Sequence, residues 1–360
     1  MAGPAPPRRL GWWSGWALTA GTMLLCLAVA EFVLRWHASP GLLWHFPNFV
    51  ERDLRANDGE RDQLRYDPVL GWDLQPEVSG LLAGRPITIS ADGMRSHSRF
   101  APPGSGPPIL ALGDSYTEGY AVGDDETWPA HLERTTGRPV LSAGVRDYGI
   151  DQMVLKAERL VPVLKPATVV LAFIASDIDR TARAVRSGRH KPFFAATAEG
   201  LELRNVPVPV GPYTAPYQAV RRILGYSLLV HFAINRLGAY ETWHGDSLET
   251  GENGDLLSCR LMERFAVLMR RENTQALVVA LPRYEDWAWP RDGERQRQRI
   301  AATLGCAARA GLPIPGTYDA FARAGVARDP EAFFVEWHFN ERSNALAARL
   351  IASGLATGSR

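Results

Sequence analysis

The chain has little of several things, and each shortage removes a class of function. It has 3 cysteines and 8 histidines in 360 residues, with no Cys-x-x-Cys pair and no His-x-x-x-His cluster, so a metal site has no support in the pattern. It has no excess of either charge. The 40 basic and 39 acidic residues nearly cancel, and no basic run stands out, which argues against a nucleic-acid partner. Internal repeats are absent. Low complexity is confined to Pro/Gly-rich patches such as Pro102 to Pro108, which reads as a linker. No nucleotide or cofactor fingerprint is present, so no cofactor is implied. The 46% hydrophobic content is that of an ordinary globular protein large enough for one sizeable domain with appendages.

Charge is also missing from the start of the chain. Leu10 to Ala30 is an uncharged run of 21 residues, preceded by Arg8 and Arg9 and followed by no basic residue until Arg35. About 20 such residues span a bilayer, and flanking arginines hold their end on the cytoplasmic side. Trp12, Trp13 and Trp16 at one end and Trp36 at the other suit interfacial anchors. The expectation is an N-terminal membrane anchor over residues 1–37 with the rest of the chain extracytoplasmic. A signal peptide cleaved after Ala28-Val-Ala30 is the alternative. Of the cysteines, Cys259 and Cys306 lie outside this run. They read equally as a disulfide of an oxidising compartment or as two buried thiols.

Beyond a connector, residues 66–100 read as a small β-rich lead-in, ending 38–107 as a segment. Strand-like and helix-like runs then alternate. Ile109–Leu112, Pro139–Ala143, Thr168–Ala175 and Gln275–Leu281 read as strands. Thr127–Thr136, Ile150–Leu160, Leu256–Arg271, Glu294–Ala310 and Asn340–Ser353 read as helices. Such alternation predicts a parallel sheet covered on both faces. The alternation breaks over about 181–254. That insertion is expected to hold a hairpin around Glu199-Gly200 and one amphipathic helix over Tyr217–Leu237. It reads as a lid or substrate wall, or as a cap over apolar surface.

Chemistry is expected at the carboxyl ends of these strands. The run Ile109–Leu112 stops at Gly113-Asp114-Ser115, where glycine permits a sharp turn. Ser142-Ala-Gly-Val-Arg-Asp-Tyr-Gly-Ile-Asp-Gln152, Val169-Val-Leu-Ala-Phe-Ile-Ala-Ser-Asp177 and Val335-Glu-Trp-His-Phe-Asn340 follow it. In order and spacing these four blocks resemble the SGNH (GDSL-type) hydrolases, over roughly Ile109 to the end.

The resemblance implies a flavodoxin-like three-layer α/β/α fold with a parallel central sheet over 108–360, and an ester hydrolase. It makes Ser115 the nucleophile and His338 the base. Ser115 and Gly144 supply oxyanion N–H groups. Asp114 is a supporting residue beside the serine, and Asp177 beside Ser176 either orients that hydroxyl or caps a helix, the commoner job of Asp there. Two positions depart from the pattern. Ser176 stands where the family has an asparagine oxyanion donor. Val335 stands where the acid is usual, with Glu336 one residue later. Either the Glu336 carboxylate orients His338, or a carbonyl does and a Ser-His dyad remains. The expected substrate is an acylated small molecule or glycan, with O-acetyl or short O-acyl esters on an extracytoplasmic glycan or glycolipid. An O-acyltransferase using the same serine and a non-catalytic glycan-binding or scaffolding member are the alternatives.

Overall fold

Four short apolar runs pair into one parallel sheet in the computed structural model, which describes residues 12–50, 62–102, 104–214, 218–245 and 247–358. The strands are β1 (Ile109–Leu112), β2 (Val140–Ser142), β3 (Thr168–Phe173) and β4 (Gln275–Ala280). Their order is β2-β1-β3-β4, and every pairing is parallel. This is the order of a doubly wound flavodoxin-like sheet, which reverses direction of growth between β1 and β3.

These strands are apolar at nearly every position because both faces are covered. Leu110, Leu112, Val169, Leu171 and Phe173 pack on one face with Val154, Leu261, Phe265 and Ala307. Their alternates Ile109, Ala111, Val170 and Ala172 pack on the other with Trp128, Leu132, Phe321 and Ile351. The first set of helices is Ile150–Leu164, Gly254–Arg271 and Pro290–Arg309, and the second is Trp128–Thr136, Thr317–Ala324 and Glu341–Gly358. Cys259 and Cys306 are joined in a disulfide, which ties Gly254–Arg271 to Pro290–Arg309.

The chain divides into two compact units. The sheet unit comprises residues 59–213 and 246–360. It includes the lead-in, two antiparallel hairpins, Leu64–Asp67 with Gly71–Leu74 and Ser79–Leu82 with Arg85–Thr88. Trp72 is buried there against Tyr148, whose hydroxyl donates to the Trp72 carbonyl (2.6 Å). The expected hairpin around Glu199-Gly200 forms from Phe193–Ala196 and Leu201–Arg204. It buries Phe194 in the core beneath the first set of helices, which is the duty of a cap over apolar surface.

The other unit comprises residues 1–58 and 214–245. Its apolar helix runs Trp12–Ala38, and the apolar stretch Gly15–Ala38 is 24 residues long, exposed over most of its length with Arg35 buried near its end. Arg8, Arg9 and Leu10, much of the expected connector (51–61) and Tyr217 lie outside the described residues. The single helix expected over Tyr217–Leu237 is instead two, Gln218–Leu224 and Leu228–Arg236. Gly225 is wedged between Asn48 and the Arg221 carbonyl, where a Cβ would come within 2.5 Å of both. Ser227 then caps a new helix through its Oγ, which accepts from the Val230 N–H (3.2 Å).

Candidate active site

Strand β1 ends at Gly113, and the chain turns at once into the short helix Ser115–Glu118. A Cβ on Gly113 would sit 2.6 Å from the Ala172 carbonyl and 2.0 Å from Thr117 Oγ1, so the turn admits only glycine. Asp114 caps the helix by accepting from the Tyr116 N–H (2.9 Å). Ser115 is thereby held at the carboxyl edge of the sheet. Its Oγ lies 2.9 Å from Nε2 of His338.

His338 arrives from the other end of the chain on a hairpin, Phe334–Val335 paired with His338–Phe339. The two turn residues, Glu336 and Trp337, both have positive φ (46° and 68°). That is the left-handed pairing of a tight two-residue hairpin turn, here without the usual glycine or asparagine. The turn brings the Glu336 carbonyl oxygen 2.9 Å from His338 Nδ1. A carbonyl only accepts, so Nδ1 carries the proton. The neutral ring then presents the Nε2 lone pair to the serine hydroxyl. The Glu336 carboxylate is exposed and makes no hydrogen bond among the described residues. The triad assignment to that carboxylate is corrected: the turn reverses between Glu336 and His338, so the backbone reaches the ring and the side chain does not.

Burial pushes the His338 imidazole below its ordinary range, against the opposing pull of the Glu336 carbonyl and the Asp114 charge. Tyr116 and Tyr120 flank the ring, at 5.0 and 4.4 Å between centroids. The Tyr116 hydroxyl donates to the Trp337 carbonyl (2.7 Å), pinning the hairpin to the Ser115–Glu118 helix. Sequence reasoning passed over both tyrosines.

Gly144 follows β2. A Cβ there would lie 2.5 Å from the Glu118 N, so its backbone presses against the Ser115–Glu118 helix. Its neighbours Ala143 and Val145 donate to the Ala111 and Gly113 carbonyls (2.8 and 3.0 Å). The Ser115 and Gly144 N–H groups have no acceptor among the described residues. Behind the turn, Arg95 of the lead-in donates through Nη1 to the Glu118 carbonyl (2.7 Å) and through Nε to Asp124 (2.9 Å).

Ser176 follows β3, and its hydroxyl accepts a hydrogen bond from Arg283 Nη1 (2.8 Å). Arg283 lies just beyond β4 and is clamped by Asp286, through Nη2 (2.9 Å) and Nε (3.2 Å). Asp177 caps its own helix by accepting from the Ile174 N–H (2.8 Å) and takes Arg180 Nη1 on its other oxygen (2.7 Å). None of its bonds reaches Ser176, and its duty is to cap the helix, the commoner job of an aspartate there. Arg180 also donates to Asp114 (3.2 Å). Burial pushes both carboxyls upward, and the shared guanidinium opposes it.

Beside the hairpin, Trp337 and Trp289 are half exposed with ring centroids 5.9 Å apart, and Tyr284 meets Trp337 edge-on at 5.1 Å. Glu285 Oε2 is buried without a hydrogen-bond partner among the described residues. Among the described residues no group of three or more His, Cys, Asp or Glu side chains is arranged to hold a metal.

No family model matches the chain, and no curated protein matches it. Several solved structures are similar in chain path. One is LAE5, an alpha/beta hydrolase enzyme from the metagenome of Lake Arreo, Spain, at 11% identity and TM-score 0.42, covering 70% of this chain and 94% of that one. A second is a catalytic mutant of the acetylxylan esterase Axe2 from Geobacillus stearothermophilus, at 12% identity and TM-score 0.41, with 70% and 95% covered. A third is the lipase/acylhydrolase from Enterococcus faecalis, at 15% identity and TM-score 0.41, with 70% and 96% covered.

Proposed function

We propose that this chain is an SGNH-type serine esterase, held to a membrane by its N-terminal helix, that cleaves O-acyl esters on an extracytoplasmic glycan or glycolipid. The observation that carries the reading is the contact between Ser115 Oγ and His338 Nε2 (2.9 Å), with Nδ1 occupied by a carbonyl. It favours chemistry over a binding-only role, because it is the arrangement of a nucleophile and its base.

In the proposed reaction Ser115 Oγ bonds to the acyl carbon as its proton passes to His338 Nε2. The carbonyl electrons move onto oxygen. The Ser115 and Gly144 N–H groups and the Ser176 hydroxyl donate to that oxyanion. Collapse expels the sugar oxygen, which takes the proton back from Nε2 and leaves the acyl group on Ser115. Water then repeats the sequence with the same histidine and releases the free acid. Arg283 is the positioning residue that makes Ser176 a donor. With its oxygen already accepting from the guanidinium, the hydroxyl directs its own proton elsewhere.

Three features support the finer statement. Half-exposed Trp289 and Trp337, adjacent at 5.9 Å, offer apolar indole faces on which a sugar ring stacks. The 24-residue apolar stretch is long enough to anchor the chain. The Cys259–Cys306 disulfide suits an oxidising compartment.

The test is turnover of short p-nitrophenyl esters and a panel of O-acetylated sugars, with fluorophosphonate labelling in parallel. Wild type should turn over and label, whereas Ser115→Ala should do neither and melt at nearly the same temperature. Equal activity in the variant removes Ser115 as nucleophile.

A further inference from the structure

The apolar helix carries a charge that the bilayer would reject if it were alone. Glu31 lies within Gly15–Ala38, seven residues, or about 10 Å, before the helix end. A bare carboxylate near the hydrocarbon boundary is costly. This one is saturated. Its Oε1 accepts from Arg35 Nε (2.6 Å) and the Leu228 N–H (2.8 Å). Its Oε2 accepts from Ser227 Oγ (2.8 Å) and the Leu229 N–H (2.8 Å). Two of these donors are first-turn N–H groups of the Leu228–Arg236 helix, which have no partner within their own helix. Arg35 is equally committed. Beyond Glu31 it donates to the carbonyls of Leu42 (2.8 Å) and Tyr226. Both charges therefore bind the start of the Leu228–Arg236 helix to the side of the apolar helix.

The helices held at that level are apolar on the outside. Ile223 is 75% exposed and Leu237 80%, and Val220, Leu224 and Phe232 are also exposed. They are joined in the same unit by exposed Trp36, Phe46 and Trp44, the last at 88%. Trp36 lies one turn beyond Glu31, where an aromatic marks the membrane interface. Arg222 and Arg236 are exposed on the same two helices and suit lipid phosphates.

We infer that Gln218–Leu224 and Leu228–Arg236 form a lipid-immersed collar, lying in the headgroup layer beside the anchor with their exposed apolar side chains in the acyl boundary. The occupant of that surface is the bilayer, because the helix it belongs to is bonded side-on to a segment that itself needs lipid. Amphipathic helices of this kind lie in the interface plane. The inference rests on the anchor reading and is independent of the ester chemistry.

The full chain in lipid nanodiscs tests it. In a Cys26→Ser background, single cysteines at Ile223, Phe232, Leu25 and Glu202 are labelled with an environment-sensitive fluorophore. Quenching is read from nitroxide-labelled lipid and from iodide in the water. All four sites are exposed or lipid-facing, and an unchanged melting curve checks each variant. The Ile223 and Phe232 probes should be quenched several-fold more by lipid than the Glu202 probe, and resist iodide as the Leu25 probe does. Lipid quenching at Leu25 with iodide quenching at Ile223 and Phe232 overturns the collar and leaves the anchor. No lipid quenching at Leu25 overturns the anchor and the collar with it. Protection from both quenchers, with disulfide-linked dimers through Cys at 223, assigns the surface to a second copy and overturns the inference.

Discussion

Arg283 donates to the hydroxyl of Ser176 (2.8 Å), so two residues from the ends of neighbouring strands β3 and β4 act as one polar group. A serine side chain alone is shorter than the asparagine expected there, and the guanidinium behind it both fixes the rotamer and polarises the O–H bond.

If that hydroxyl meets the oxyanion, Ser176→Ala should lower kcat by about 10²-fold with little change in KM, the loss seen when one such donor is removed. Arg283→Met should lower kcat less, and Arg283→Lys should recover part of it. The double variant should be no worse than Ser176→Ala alone, since the two act through one bond. Steady-state kcat and KM for the four proteins check this. An additive double variant would separate the two residues.

Glu336→Gln should leave ester turnover near wild type, because the exposed carboxylate makes no contact with His338. His338→Ala should be inactive. A loss on the scale of about 10⁴-fold in Glu336→Gln, as when a triad carboxylate becomes an amide, would restore the carboxylate to the mechanism.

The rate should rise with pH through the His338 titration, since only the neutral ring accepts the serine proton. Burial holds that ring below the ordinary histidine range, so the acid limb of kcat/KM should fall below about 6.5. The same shift costs stability in acid. The unfolded chain binds the proton more readily than the folded one, so this contribution is absent above about 6.5 and grows as pH falls toward the folded value. A pH–rate profile beside melting curves from pH 5 to 8 reads both.

Arg180→Met should destabilise the sheet unit by about 3–5 kcal/mol, because it strips the shared partner from buried Asp114 and Asp177. Urea denaturation measures the loss, and Arg180→Lys should recover part of it.

Cys306→Ala should cost about 2–4 kcal/mol, as expected for opening a loop closed over a separation of 47 residues. Fluorophosphonate labelling of Ser115 should persist below the lowered melting temperature, since the bridge holds neither Ser115 nor His338.

The sheet was legible because its strands are apolar and punctuated: β1 to β4 all fall within runs read from hydropathy alone. Ser115, Gly144 and Ser176 do stand just beyond the carboxyl ends of β1, β2 and β3, where a doubly wound sheet presents side chains; the roles expected of them came from the resemblance. Arg283 follows the same rule one strand further on, but an arginine after a strand carries no local mark of the serine it will meet. Arg180 was missed because a buried arginine looks like any surface arginine until its two carboxylates are placed. The choice between the Glu336 carboxylate and a carbonyl stayed open because side-chain identity is written in sequence and a turn that points a carbonyl is not. Likewise, periodicity across Tyr217–Leu237 did not register Gly225 pressed against Asn48, and nothing local linked Glu31 to Ser227, some two hundred positions away.

The Glu336 carbonyl has one more implication. Every amino acid carries that oxygen, so the group orienting the base is invisible to ordinary side-chain scanning. What inheritance must preserve at 336 and 337 is a torsion-angle pair rather than a chemical identity. Polar, flexible residues that tolerate positive φ are interchangeable there, whereas β-branched ones and proline are excluded. A protein built this way can drift at the very position that orients the His338 ring, and a comparison by letters would score that drift as decay.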